Sequence, residues 1–226
     1  MEAASTSGET LDLGDPLGIG TTRLVEGTLP GTDVPLWLLD CPALYDREGG
    51  LYGDAEGTDW PDNALRFGLL GRVAALLSIA VPFADWNPDS VHAHDWQAGT
   101  AAAHHALWGR SEARTVFTIH NLEYAGMFGH DVLDPLGLPE SVFSVDGLEF
   151  YGGASFLKSG LYYSDRITTV SPTYAQEIQS PIAGRGLHGL LAGRSEQLTG
   201  ILNGIDTDVW NPSTVEHLPG RYPASD

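Results

Sequence analysis

The 226 residues predict an α/β fold, a parallel sheet with helices on both faces, on three observations. After Pro88, short apolar runs alternate with stretches of helical period; hairpin signals are scarce there; and three of the apolar runs end in polar clusters. Strand and helix alternating without hairpins require crossover connections, and crossovers give parallel strands whose two faces both need cover. At 42% hydrophobic and 18% charged, the chain carries enough apolar material for one large core, which excludes a disordered or fibrous protein.

The elements follow in order. Residues 1–20 are rich in Gly, Ser, Thr and acids without apolar period, and are expected to be a frayed start before a domain over 21–226. Alternation in 21–29 and 34–40 around Pro30-Gly31-Thr32-Asp33 predicts a hairpin. From Pro61 the period turns helical: Leu65, Leu69, Val73, Leu76 and Ala80 form one stripe, and Phe67, Leu70, Ala74 and Leu77 another. A helix apolar over more than half its circumference has to be sandwiched. The spacing then predicts a strand over 90–94, a helix over 97–108, a strand over 115–120, a helix over 154–163 and a strand over 166–170. Ser171-Pro172 caps and opens a helix running to Gln179, 189–198 is helical, and 200–202 is a last strand.

Eleven basic residues against thirty acidic ones give a net charge of −19, which excludes nucleic acid as a partner because a phosphate backbone needs Lys and Arg to displace its counterions. Lys158 is the one lysine. A carboxylate surplus with almost no lysine suits high salt, where self-repulsion is screened. Cys41 stands alone, so no internal disulfide forms, and no basic patch with an apolar run follows Met1-Glu2; a cytoplasmic location is expected. The most apolar stretch, 64–84, contains Arg66 and Arg72 and is closed by Pro82, so it reads as a buried helix and not as a membrane span.

The polar clusters are 91–96, 117–121 and 202–206. In a parallel sheet they share one rim, beyond the carboxyl ends of the strands, where ligands bind. His92 and His94 lie on one strand face in a metal-ligand pattern, but Asp95 points to the opposite face and no third ligand follows; packed histidines are the simpler reading and no metal is expected. Asp95 is either the N-cap of the next helix or a ligand for substrate hydroxyls, and the spacing leaves both open. His104-His105 do not share a helix face, and Asn203-Gly204 by themselves suit a turn. Gly152-Gly153 before a helix offers N–H groups to an anion, although the Gly-x-Gly-x-x-Gly, Walker and Gly-x-Ser-x-Gly patterns are absent.

Four long runs, VHAHDWQAGTAA (91–102), TVFTIHNLEYAGMF (115–128), DGLEFYGGASFLKSGLYYSDRITTVSPTYAQEI (146–178) and LTGILNGIDTDVWNPST (198–214), resemble the bacterial and plant glycogen and starch synthases in order and spacing. The segments LDCPALYDR (39–47) and DNALRF (62–67) are similar too, and the likeness runs from about Val34 to the end. The resemblance implies the N-terminal half of a two-domain GT-B glycosyltransferase with Rossmann-like domains. It implies retaining transfer of glucose from ADP-glucose to the non-reducing end of an α-1,4-glucan, without metal or cofactor. It places His120 on the donor glucose near the reaction centre, Asp95 on sugar hydroxyls beside it, and Asn203 in the same pocket, with Asn121 and Tyr124 as neighbours. Trp60, Trp96 and Tyr124 offer faces for stacking on sugars, and core packing is the preferred reading for Trp96.

The sequence departs from the family in four ways. It contains no Lys-x-Gly-Gly-Leu loop to grip the donor phosphates, and no second domain with its Arg, Lys and Glu residues. Trp60 stands where a tyrosine is usual, and Val215 where an aspartate often follows. The resemblance thus implies a domain without its first strands, an exposed apolar edge, a missing second domain or complementing chain as partner, and no transfer by the chain alone. The alternative is a non-catalytic glucan-binding or assembly protein derived from that domain; a sucrose- or trehalose-forming transferase fits the four runs less well.

Overall fold

The computed structural model describes residues 5–79, 87–109 and 111–214; Ala80, Pro82 and Val215 lie outside them. The chain opens with an antiparallel sheet of β1 (Ser5–Asp12), β2 (Arg23–Thr28) and β3 (Pro35–Asp40), in that order. The β2–β3 hairpin is the one its alternation predicts, in register from Arg23↔Asp40 to Thr28↔Pro35. Its turn is closed by the Leu29 N–H on the Val34 carbonyl at 3.0 Å, with Gly31 at φ +74. The start is not frayed from residue 5 onward: β1 pairs with β2 from Ser5↔Thr28 to Asp12↔Arg23. An edge strand needs a partner's backbone more than an apolar period of its own, so composition alone read it as loose.

This sheet packs on α2 (Asn63–Ile79) across the short α1 (Pro42–Tyr45), through Leu24, Cys41, Leu44, Leu69 and Val73. The other side of α2 meets α3 (Thr100–Trp108), and a Cβ on Gly71 would stand 2.1 Å from Thr100 Oγ1. The sandwiching expected for α2 is therefore present.

Between these helices runs β4 (Ser90–His94), and after α3 come β5 (Arg114–Ile119), β6 (Met127–Phe128), α4 (Leu133–Leu136), β7 (Glu149–Phe150), β8 (Gly153–Ser155), α5 (Phe156–Tyr163) and β9 (Arg166–Thr169). Then follow α6 (Pro172–Glu177), α7 (His188–Gly193) and β10 (Leu198–Gly200). The main sheet is wholly parallel, in the order β10-β9-β5-β4. Ala93, Phe117, Ile119 and Ile167 cover one face and pack on Ala101 of α3, Leu157 and Leu161 of α5 and Leu191 of α7. A Cβ on Gly160 would lie 2.2 Å from the Phe117 ring, so α5 seats on the sheet only with glycine there. The opposite face carries His92, Arg114, Thr118, Arg166 and Thr168; among the described residues it joins no apolar cluster, and His92, Arg114 and Arg166 are exposed.

Smaller differences have local causes. The helix expected from 97 starts as a 3-10 turn, Trp96–Ala98, before α3. That expected from 154 starts at Phe156, because 153–155 pair with β6 and β7 in a sheet too short to show a period. The helix expected over 189–198 ends at Gly193 and is followed by a 3-10 turn, Ser195–Gln197, which brings β10 forward to 198–200. Ser171 caps α6 as expected, its Oγ accepting the Tyr174 N–H at 2.9 Å. Among the described residues no helix is long and apolar enough to cross a membrane. Among those residues β4 is an edge strand, but the edge is polar; exposed apolar side chains lie elsewhere, singly at Leu51, Val145 and Ile182 and in a run beyond β10 that includes Leu202, Ile205, Val209 and Trp210.

Candidate active site

The register His94↔Thr118 ends β4 and β5 side by side, so Asp95 and His120 emerge on one rim. Asp95 turns with φ 51 and ψ −173, a region that belongs to glycine and strains any other residue. Its side chain caps no helix. Instead Oδ1 accepts the backbone N–H of His120 at 2.8 Å and of Asn121 at 3.4 Å. The N-cap reading is thus replaced: the carboxylate folds across to the neighbouring strand end and holds the backbone of the next polar cluster.

Behind this corner the imidazoles form a chain. Nδ1 of His94 lies 3.0 Å from Nε2 of His120, and the His94 ring stacks on His92 at 4.2 Å. Nε2 of His92 meets Thr118 Oγ1 at 2.6 Å, which meets Thr168 Oγ1 at 2.6 Å. Partial desolvation by the packed strand ends, then the nearby His120 ring, pushes the half-open His92 below the usual histidine range. His94 is lowered by burial and by both neighbouring rings, against a smaller opposing effect of Asp95. Among the described residues no three His, Cys, Asp or Glu side chains are grouped to hold a metal.

A cleft of about 740 Å³ opens beyond the strand ends, lined by Asp95, Asn121 and Tyr124. Its far wall is Tyr52, Asp59 and Asn63. Tyr52 is fixed three ways: its ring lies 5.7 Å from Phe67 and 5.9 Å from Trp96, its hydroxyl accepts the Gln97 Nε2–H at 2.7 Å, and its carbonyl accepts from Asn63 Nδ2 at 2.8 Å. Arg66, only 6% exposed, ties down the segment beneath, donating to the Leu44 and Leu51 carbonyls and to Asn63 Oδ1. The near wall, 121–128, hangs on the start of α5. Ser155 Oγ and the Leu157 N–H donate to the Ala125 carbonyl at 2.8 and 3.1 Å, and the Phe156 N–H to the Gly126 carbonyl at 3.0 Å. Gly126 has φ +58, and a Cβ there would meet Trp96 at 2.7 Å. The charged lining residues are Asp59, Asp95 and Glu123; among the described residues no Lys or Arg lines the cleft, and the nearby Arg185 is taken up in an ion pair with Glu123.

The expected site residues divide. Asp95, Asn121 and Tyr124 line the cleft and His120 stands exposed at its rim. Asn203 is exposed on the segment after β10 and is not among the lining residues. Trp60 closes its own loop: Arg47 lies 5.0 Å over the ring, and the indole N–H reaches the Gly50 carbonyl at 3.3 Å. Trp96 is half-buried between two apolar clusters and also floors the cleft. Tyr151-Gly152 form the β7–β8 turn and Gly153 opens β8; the Gly152 N–H is taken by Glu149 Oε1 at 2.7 Å, so this loop has its own carboxylate in place of a phosphate. Sequence reasoning missed Tyr52, Asp59, Asn63 and Gln97. Asp59 and Asn63 flank Trp60 closely enough to have been suspected, whereas Tyr52 sits in a loop without any periodic signal.

A four-stranded parallel sheet with its polar rim at the carboxyl ends is one Rossmann-like half of the GT-B glycosyltransferase architecture. Residues 5–193 match the model of the starch synthase catalytic domain, and the chain belongs to that family of glycosyltransferases. The match starts at residue 5, where β1 begins. Glycogen synthase of Rhodospirillum rubrum is 51% identical over 226 residues, all of this chain and 47% of the relative. That of Paramagnetospirillum magneticum is 53% identical over 216 residues, 95% of this chain and 44% of the relative. The chain thus spans about half the length of the curated relatives it matches. The catalytic domain of starch synthase IV from Arabidopsis thaliana, bound to ADP and acarbose, superposes with a TM-score of 0.71 at 31% identity, over 100% of this chain and 44% of that one.

Proposed function

We propose that this chain supplies the sugar-holding wall of a glycogen (starch) synthase, which moves glucose from ADP-glucose to the non-reducing end of an α-1,4-glucan with retention. The observation that carries the reading is the corner in which Asp95 holds the His120–Asn121 backbone at the mouth of an aromatic, acidic cleft. Carboxylates, amides and aromatic faces without cations suit neutral polyhydroxyl ligands. Glycosyl transfer passes through an oxocarbenium-like state, and preorganised dipoles and carboxylates on the sugar lower that barrier. His120, Asn121 and Asp95 are the groups assigned to this task, with Tyr124 as the sugar-facing aromatic and Asn203 completing the pocket on closure. The relative bound to ADP and acarbose supports a site for both nucleotide and sugar in the complete cleft.

A leaving diphosphate needs cations, and the described lining has none. The 226-residue chain alone therefore binds maltooligosaccharide, does not bind ADP, and transfers no glucose; the cations come from a second domain or complementing chain. A cytoplasmic setting fits the free, buried thiol of Cys41. The same acidic lining favours a second reading, a glucan-binding module without catalysis. Calorimetric titration with maltoheptaose and with ADP, followed by an ADP-glucose transfer assay with and without the C-terminal half of a relative, separates them. Transfer only with the added half supports the synthase reading, binding without transfer in either case supports the module, and failure to bind maltoheptaose overturns both.

A further inference from the structure

His94 and His120 close the carboxyl ends of neighbouring strands, with Nδ1 of one 3.0 Å from Nε2 of the other. A neutral imidazole has one donor and one acceptor nitrogen, so this contact takes a proton on one side only and fixes the tautomer of the ring that donates. The His94 ring is itself held, stacked on His92, which is tied through Thr118 of β5 to Thr168 of β9. Three strands thus fix the nitrogen that meets His120. Asp95 separately fixes the backbone of His120, leaving its ring as the part that still needs a support.

We propose that His94 is a positioning residue for His120: Nδ1 of His94 accepts the Nε2–H of His120, and Nδ1 of His120 is left bare to accept a hydrogen bond from a sugar hydroxyl. The proposal rests on the sugar reading of the cleft and adds to it a named atom and its protonation. Both rings then carry their proton on Nε2, the tautomer free histidine prefers. Burial and the flanking rings disfavour a charged His94, which keeps its Nδ1 an acceptor. A free acceptor nitrogen at a site of carboxylates and amides selects ligands by their hydroxyl donors, which suits a glucose unit.

Long-range proton–nitrogen NMR on the 226-residue chain reads the tautomers, and maltoheptaose titration reads their consequence. The unaltered chain is expected to show His120 protonated on Nε2. His94→Phe keeps a ring to stack on His92 but offers no acceptor, so His120 should become a tautomer mixture and the maltoheptaose Kd should rise about tenfold. His94→Asn carries Oδ1 close to the position of the lost Nδ1; it should restore the single tautomer and bring the Kd to within about threefold of the original. A His120 proton on Nδ1 in the unaltered chain, or a His94→Phe chain unchanged in tautomer and Kd, overturns the proposal. If the unaltered chain binds no maltoheptaose, the proposed function fails, and the tautomers still decide the His94 contact by themselves.

Discussion

Asp95 combines a strained backbone with two hydrogen bonds that only its carboxylate makes, and the two can be separated by substitution. Asp95→Ala keeps the strain and loses the bonds, whereas Asp95→Gly loses both. Asp95→Ala should destabilise by about 1–3 kcal/mol in urea unfolding, Asp95→Gly should be more stable than Asp95→Ala by about 1 kcal/mol, and both should lose maltoheptaose binding. Equal stabilities would mean that the turn carries no strain. His104 tests a different physics. It is fully buried on α3 against Trp108, neither ring nitrogen has a partner among the described residues, and burial, with Arg72 adding, holds its pKa down to about 3. Above about pH 6.5 both folded and unfolded forms are neutral there and the group is silent. As pH falls below that value the unfolded chain takes up a proton the folded one refuses, and stability drops by about 1.4 kcal/mol per pH unit until about pH 3. His104→Leu should flatten this slope and add about 1–2 kcal/mol at neutral pH by removing two unpaired polar atoms; an unchanged acid slope would show that other groups set it.

At the scale of elements, two helices hold the near wall of the cleft. Ser155 caps α5 through the Lys158 N–H at 3.1 Å and donates to the Ala125 carbonyl, so one hydroxyl joins a helix start to the cleft loop. Tyr174 of α6 accepts the Leu122 N–H at 3.1 Å from the other side. Ser155→Ala should cost about 1–2 kcal/mol and speed amide exchange in 121–126 beyond the rest of the chain; uniform exchange would deny the link. The seating of α3 against α5 depends on Gly99, where a Cβ would come 1.8 Å from the Phe156 carbonyl oxygen. Backbone cannot yield as a side chain can, so Gly99→Ala should cost about 3 kcal/mol or more in chemical denaturation.

For the whole molecule, the charge of −19 sets the response to salt. Self-repulsion of the carboxylates falls as the screening length shortens, so the Tm should rise from about 0.1 M to about 1 M salt. A falling Tm would mean that ion pairs such as Arg23–Asp40 and Arg185–Glu123 outweigh the net repulsion. Salt also strengthens apolar association, and Leu202, Ile205, Val209 and Trp210 are all exposed after β10. Sedimentation in the same salt series should show self-association that Trp210→Ser together with Val209→Ser reduces.

Strand and helix alternation, the Ser171 cap and the β2–β3 hairpin were legible in the sequence because each depends on spacing within a few residues. The shared rim was legible too: once the strands are parallel, the residues that end them, Asp95 and His120, must meet. Only the tertiary structure decided what those residues touch. Whether Asp95 capped its own turn or held a strand end 25 residues away depended on the register of β4 against β5. The Tyr52 wall depended on a buried arginine and an amide of α2 reaching across to the 51–52 loop, and β1 on a partner that supplied its hydrogen bonds. Local period is written in neighbouring residues, whereas hydrogen bonds between distant backbone and side-chain groups exist only after packing has brought them together.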